Sequence, residues 1–372
     1  MPNKNNNNDG DKDGDTSLLE KYAYLDSFEG LPSSPVPQEN GLTGLATHAR
    51  LLAPGVAICL VIGFAAMFLS DNYGAPVMLF ALLLGLGFHF LSEEGPTVPG
   101  IQFASRDILR LGVCLLGARI TIGDITDLGW QTVVLVFIAV GGTILFGAAC
   151  ARALGLTREN GLLSGGAVAI CGASAALALS SVMPKNPNLE RDTMITVIGV
   201  TTLSTIAMVA YPPLAASLGF DSHLAGIFLG ATIHDVAQVV GAGYTISLEA
   251  GDTSTIVKLL RVAMLVPVVL AFGYLLNAPR DAGAPKQPIL PWFLIGFLVL
   301  VAITSTGYVP QMVTDALSAT SRLCLITAIA ALGIKTSFQK LAVVGWRPVA
   351  LMVAETAFIA IIVVAILLSG LV

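Results

Sequence analysis

Two polar residues, His234 and Asp235, stand side by side inside the otherwise apolar stretch Gly230-Ala231-Thr232-Ile233-His234-Asp235-Val236-Ala237-Gln238-Val239-Val240-Gly241-Ala242-Gly243. An Asp at the centre of a bilayer costs roughly 2.5–3.5 kcal/mol on insertion scales, so in such a setting this pair must face protein or water. His234 and Gln238 are four residues apart, and Asp235 and Gln238 three apart, so all three can approach one helix face. An imidazole or carboxyl placed there can bind and release a proton. His234 and Asp235 are therefore candidate coupling groups, with Thr232 and Gln238 as candidate polar ligands. A structural hydrogen-bonded pair joining two helices would use the same residues.

A second glycine-rich stretch, Gly165-Gly166-Ala167-Val168-Ala169-Ile170-Cys171-Gly172-Ala173-Ser174-Ala175, carries the complementary chemistry. Glycines weaken a helix. Unwinding near Cys171 and Gly172 would leave a new helix start whose free N–H groups and partial positive charge suit an anion, with Ser174 adding a hydroxyl donor. Close helix packing through small residues explains the same glycines. Cations form a third group. Arg119 and Lys335 could attract a divalent anion, although long side chains near helix ends also snorkel to water, and Lys258 and Arg261 read equally well as topogenic anchors. Glu355, about two turns into the last apolar run, is a candidate proton or sodium group or a counter-ion. No Walker-type loop, HExxH or GxSxG motif accompanies these residues, which argues against ATP-driven pumping and against an enzyme. No cofactor is expected beyond a coupling proton or sodium ion.

The elements that must hold these residues are membrane helices. Of 372 residues 55% are hydrophobic and 12% charged, and the mean hydropathy is +0.81, which excludes an ordinary soluble domain. The first 50 residues hold four Lys/Arg and eight Asp/Glu and so account for nearly all of the net charge of −5. The remainder is close to neutral and lacks a basic stripe, so nucleic acid is not a partner; the lipid bilayer is. Residues 1–47, with Asn, Asp/Gly and Pro-rich runs, read as a disordered polar tail, and 48–372 as one transmembrane domain. The five cysteines lack CxxC spacing and read as packing residues rather than a metal or disulfide framework.

Apolar runs fall near 51–70, 76–91, 106–121, 131–150, 160–183, 193–217, 223–246, 256–277, 291–306, 319–334 and 347–370. The fold class is thus all-α, a polytopic membrane protein with about eleven transmembrane helices, ten being the alternative count. Lys and Arg accumulate in loops on the N-terminal side, which predicts a cytoplasmic N-terminus.

A gapless self-match at an offset of 216 residues joins 51–150 to 256–370, leaving 160–246 as linking helices. Ser105-Arg106 matches Ser321-Arg322, Leu116-Gly117 matches Leu332-Gly333, Arg119 matches Lys335, and Gly129-Trp130 matches Gly345-Trp346. With seven crossings between matching helices the copies enter the bilayer from opposite faces. Such inverted repeats are typical of secondary transporters, where two similar halves can exchange conformations.

The segments Cys114-Leu-Leu-Gly-Ala-Arg-Ile-Thr, Ile170-Cys-Gly-Ala-Ser-Ala, the Gly230 stretch and Lys258-Leu-Leu-Arg261 resemble the bacterial YeiH-type sulfate exporter family over roughly residues 45–370. The resemblance implies a multi-pass inner-membrane transporter similar in architecture to bile acid/sodium symporters, with a panel domain and a core domain of broken helices. It also implies a small sulfur-containing anion such as sulfate or sulfite. The expected function is secondary-active, proton- or sodium-coupled anion transport by alternating access; a channel and a non-transporting sensor or scaffold are the alternatives. Direction of transport and homo-oligomerisation stay open.

Overall fold

The computed structural model describes residues 42–74, 76–184, 188–276, 292–336 and 345–371. The tail assignment therefore lies outside the described residues up to position 41, and the first helix takes in the last six residues assigned to it. Every regular element among the described residues is helical, as a chain in hydrocarbon requires when no water can satisfy backbone N–H and C=O groups.

In chain order these are α1 (Leu42–Tyr73), α2 (Val77–Gly87), α3 (residues 98–116), α4 (Ile122–Asp127), α5 (Gly129–Ala153), α6 (Arg158–Ala169), α7 (Ala173–Ser180) and α8 (Leu189–Ser217). They continue as α9 (Ser222–Thr232), α10 (Val236–Ile246), α11 (Leu248–Ala263), α12 (Leu265–Leu275), α13 (Trp292–Ser305), α14 (Gln311–Lys335) and α15 (Trp346–Leu368). A π-helical turn at Ala104–Ile108 interrupts α3. Among the described residues six stretches are long and apolar enough to cross a membrane: Thr47–Tyr73, Gly129–Ala153, Leu189–Ser217, Leu248–Leu275, Gln311–Lys335 and Trp346–Leu368.

The helices pack as two groups. One comprises α1, α2, α3, α13 and α14; the other is built from α5 to α11 with α15; and α10 touches the first group through α2 and α14. Bare glycines let backbones meet in the first group. A Cβ on Gly117 would stand 2.4 Å from the Phe297 carbonyl oxygen, and one on Gly333 would stand 2.4 Å from that of Leu82. Gly117 and Gly333 are 216 residues apart, and their partners lie on the correspondingly matched helices α13 and α2. Helix ends repeat the correspondence: Thr304 Oγ1 lies 3.3 Å from Ile120 O and Ser305 Oγ accepts from Ile122 N, while His89 and Ser92 approach Ile334 O. In the second group Phe146 stacks on Phe358 at 4.3 Å, and Gly142 faces both Phe358 and Ile362. Because 142 matches 358 and 146 matches 362, the α5–α15 contact is nearly self-complementary.

The fifth and seventh apolar runs differ from expectation: neither is a broken crossing helix. In a continuous helix Gly166 and Leu179 would lie about 20 Å apart at 1.5 Å per residue, yet a Cβ on Gly166 would meet the Leu179 side chain at 2.3 Å. Helix α7 therefore folds back along α6. Likewise the Ser222 and Ser247 hydroxyls, at the start of α9 and the end of α10, are 2.9 Å apart. Each run is a helical hairpin that returns to the face it came from. The first opens beside the start of α8, where the Asn160 side chain bonds the Asp192 carboxylate. The second opens beside the start of α11. Because α8 runs between them, the hairpins enter from opposite faces, and their tips meet: Gly172 lies 3.7 Å, measured from a built Cβ, from His234 O. Backbone conformation sets each tip. Gly172 adopts φ +68° and ψ −124°, a region essentially confined to glycine, and Ile233 and Asp235 are extended, with φ/ψ of −66°/139° and −106°/146°.

Candidate functional site

Each hairpin brings one helix C-terminus and one helix N-terminus to its tip. The last carbonyls of α6 and α9 have no intrahelical donor, and in a membrane interior they must find one in the protein. Both donors come from α11. Lys258 Nζ donates to Ile170 O (2.7 Å), to Ile233 O (2.9 Å) and to His234 O. Arg261 donates from Nε to Ala169 O (2.9 Å), from one terminal nitrogen to Gly230 O (3.0 Å) and Ile233 O (2.9 Å), and from the other to Val168 O (2.9 Å) and Ala169 O (2.7 Å). Both side chains are completely buried.

This overturns the reading of Lys258 and Arg261 as topogenic anchors. Placing the eighth run at residue 256 put them near a helix end. The helix starts instead at Leu248, where Ser247 Oγ caps the Ala250 N–H, and the apolar span extends to Leu275. Both cations then stand about 15–25 Å from the two ends, too far to reach water. The missed signal is the Ser247 cap, which moves the boundary, together with the Ser254, Lys258 and Arg261 spacing along one face.

The N-terminal ends at the tips belong to α7 and α10. Asp235 caps α10, accepting from Ala237 N (3.2 Å), while its own N–H donates to Ser204 Oγ on α8 (3.0 Å). Cys171 and Gly172 form the other turn, and Ser174 sits half-buried in the first turn of α7. His234 ties three elements together. Its Nδ1 donates to Val168 O (3.1 Å), a carbonyl that can only accept, which leaves Nε2 facing Thr356 Oγ1 of α15 at 3.0 Å. Gln238 is fully buried; its amide donates weakly to Thr205 Oγ1 (3.4 Å), and its Oε1 has no partner among the described residues.

The remaining sequence candidates lie elsewhere or are already engaged. Thr232 gives its hydroxyl proton to Phe228 O (2.6 Å) within its own helix. Arg119 pairs with Asp252 (3.0 Å), which also accepts from Tyr244 OH (2.5 Å), so this cluster fastens the end of α3 to α10 and α11 on the face where the second hairpin opens. Lys335 donates to Ser105 Oγ (3.2 Å) at the other end of the first group. Glu355 is buried against α5 and α6, with Oε1 accepting from Ser164 (2.7 Å) and Oε2 without a partner among the described residues. A narrow crevice of about 10 Å³, lined by Asn160, Ser164, Asp192 and Met352, adjoins that pair on the face of the first hairpin. Thr356, next in sequence to Glu355, is the residue that meets His234. Among the described residues no group of three or more His, Cys, Asp or Glu side chains has the arrangement of a metal site.

Comparison with known proteins agrees with the resemblance read from the motifs. Residues 54–352 match the family model described as conserved hypothetical protein 698. A UPF0324 membrane protein of Chlorobaculum tepidum is 54% identical over 313 residues, covering 83% of this chain and 87% of its own length. The UPF0324 membrane protein TauZ of Paracoccus denitrificans is 52% identical over 314 residues, covering 83% and 93%. A Rhizobium meliloti relative of the same description is 50% identical over 315 residues, covering 84% and 91%. With its apolar helices and buried hairpin tips held by Lys258 and Arg261, the chain is a multi-pass membrane protein and belongs to the UPF0324 family, to which the YeiH-type proteins it resembles also correspond.

Proposed function

We propose that this protein is a secondary-active transporter of a small anion, which binds at the meeting point of the two hairpin tips and crosses by alternating access. The observation that carries the reading is the pair of opposed hairpins closed by Lys258 and Arg261. Their charge balance favours an anion. Two cations outweigh two helix C-termini of roughly −0.5 each; two N-termini add roughly +0.5 each; Asp235 removes one unit; and about one positive charge remains. Sulfate, sulfite or a related sulfur-containing anion is the substrate class implied by the resemblance to YeiH-type exporters.

Counting the two hairpins as non-crossing leaves nine spans. Copies matched at offset 216 are then five crossings apart, still an odd number, so the repeat remains inverted. The reciprocal contacts of Gly117 and Gly333 and the near self-complementary α5–α15 packing support that reading. Charge supports the orientation: Arg50, Arg152, Arg158, Arg191 and Arg347 gather at the face that bears the N-terminus, which makes that face cytoplasmic and the C-terminus external. The inner membrane of a bacterial cell is the corresponding location.

Proteoliposomes loaded with labelled sulfate or sulfite test the function. Saturable, concentrative flux under an imposed gradient is expected. Non-saturating flux that cannot concentrate substrate would identify a channel, and no flux for a panel of small anions would end the transport reading.

Glu355 supplies a proton site on this scheme: one oxygen is held by Ser164 beside the crevice, the other has no partner among the described residues, and the adjacent Thr356 leads to His234 and the tips. Glu355→Gln keeps the shape and removes the exchangeable charge, so flux should lose its response to an imposed pH gradient by tenfold or more while the protein remains folded. Unchanged proton dependence would remove Glu355 from coupling. The Arg119–Asp252 pair spans the two helix groups and would have to open if they move apart. It is partly exposed and so worth about 1 kcal/mol or less; Asp252→Asn should change flux two- to fivefold without loss of expression, read against wild type in matched vesicles.

A further inference from the structure

Two helix C-termini brought together inside a membrane make a cation site, because their carbonyls carry partial negative charge and lack water. Unwound carbonyls and half-helix C-terminal ends of this kind coordinate free monovalent cations in other transport proteins. Here the same position is filled from within the chain. The three oxygens around Lys258 Nζ come from both hairpins: Ile170 O from the first, Ile233 O and His234 O from the second. Arg261, one turn along α11, spans the same two ends independently through Val168, Ala169, Gly230 and Ile233.

We propose that the crossing of the hairpin tips is a monovalent-cation site built from the Ile170, Ile233 and His234 carbonyl oxygens, which the native chain keeps permanently occupied with the Lys258 ammonium. A tethered cation has two consequences. No free sodium ion binds at the tips, so sodium does not drive transport through them. The positive charge also travels with the hairpins in every state, so an anion entering the site finds its counter-charge already in place. The transport consequence rests on the function proposed above; the binding consequence does not.

The binding consequence has a direct readout. Shortening Lys258 to alanine removes the tethered ammonium and leaves the three oxygens, with Arg261 still joining the two helix ends. Such a cavity takes a small cation, either sodium or a primary ammonium that replaces the lost group. The probes are sodium, potassium, ammonium and methylammonium chloride, each compared with choline chloride at equal ionic strength, and the measurement is thermal denaturation of the full-length purified protein in detergent. Wild type should melt at the same temperature in all five salts. Lys258→Ala should melt lower than wild type in choline and recover by several degrees, saturably, in at least one of the small cations. Saturable stabilisation of wild type by sodium would overturn the proposal, as would a folded Lys258→Ala that responds to none of the salts.

Should Lys258→Ala fail to fold, wild-type protein decides. Sodium-independent melting together with anion flux that is unchanged when external sodium is replaced by choline supports the tethered cation. Dependence on sodium in either measurement overturns it. Absence of any flux would count against the transport reading alone, because the melting comparison stands without it.

Discussion

Replacing Arg261 with methionine should destabilise this protein more than any other single change at the site. The substitution preserves most of the aliphatic volume and removes five hydrogen bonds. The loss is uneven. Val168 O keeps His234 as a partner and Ile233 O keeps Lys258, whereas Ala169 O and Gly230 O lose the side-chain donor that holds them. Each buried carbonyl left without a partner costs about 1–3 kcal/mol. Breaking a buried charge arrangement by removing one member typically costs about 3–5 kcal/mol in total. The expected result is a large drop in folded, monodisperse protein after detergent extraction. Arg261→Lys sharpens the test. It restores the charge but replaces a planar fork of five donors by a point charge with three. Three ammonium donors cannot replace the five bonds that reach the Val168, Ala169, Gly230 and Ile233 carbonyls, so the lysine variant should fall well short of wild type in melting temperature. A methionine variant as stable as wild type would show that the hairpin ends are held by something other than Arg261. A lysine variant equal to wild type would show that charge alone suffices.

The sequence carried the membrane class openly, because runs of apolar residues near the length of a bilayer core have few other uses. It also carried the polar residues of the second hairpin: the His234 and Asp235 pair is conspicuous because intramembrane charge is rare. What stayed hidden was direction. A hairpin of two short helices and a crossing helix with a midpoint break have the same length, the same central glycines and the same hydropathy, so composition does not separate them. The difference lies in side-chain contacts across the turn, Leu179 against Gly166 and Ser247 against Ser222, which a periodicity does not encode. Lys258 and Arg261 were obscured by a boundary error of eight residues. The polar start of α11, Leu248-Glu249-Ala250-Gly251-Asp252-Thr253-Ser254-Thr255, looks like a loop until its capping serine is recognised. Much of its polarity is spent inside the protein. Ser254 donates to Gly251 O, Thr255 also donates to Gly251 O, and Asp252 receives Tyr244 and Arg119.

Recognition of the hairpins also changes what the polar candidates do. As parts of one continuous face, Thr232, His234, Asp235 and Gln238 would all have pointed at a ligand. Split across a turn, they divide into separate tasks. Thr232 bonds its own helix, His234 joins the first hairpin and α15, Asp235 starts α10, and Gln238 alone keeps an unsatisfied acceptor. Arg119 and Lys335, matched by the repeat, lie at opposite ends of the first helix group rather than at the tips. The positive charge at the tips comes from α11 instead.

Gly172→Ala should abolish most transport while leaving a folded protein, which separates the shape of the first hairpin tip from its packing. Space is not the obstacle: a Cβ at this position would meet Val200 Cγ2 and His234 O at 3.7 Å, ordinary contact distances. The obstacle is the backbone. At φ +68° and ψ −124° an alanine is strained by about 1–3 kcal/mol, and the turn can relieve that strain by rotating toward negative φ. Rotation at Gly172 redirects the N–H groups that open α7, including those of Ala173 and Ser174, away from the opposing tip. It also moves Ile170 O relative to Lys258. An electrostatic site that depends on preoriented N–H groups loses most of its effect when they turn aside, and a tenfold to hundredfold fall in anion flux is the expected outcome. Gly141→Ala is the matched control: Gly141 lies in α5 with nothing within 4 Å of a built Cβ, so alanine there should leave flux unchanged and stabilise the helix slightly, by about 0.5–1 kcal/mol. Full flux in Gly172→Ala, with melting close to wild type, would mean that the α7 N-terminus takes no part in handling the anion and that the hairpin tip serves the fold alone.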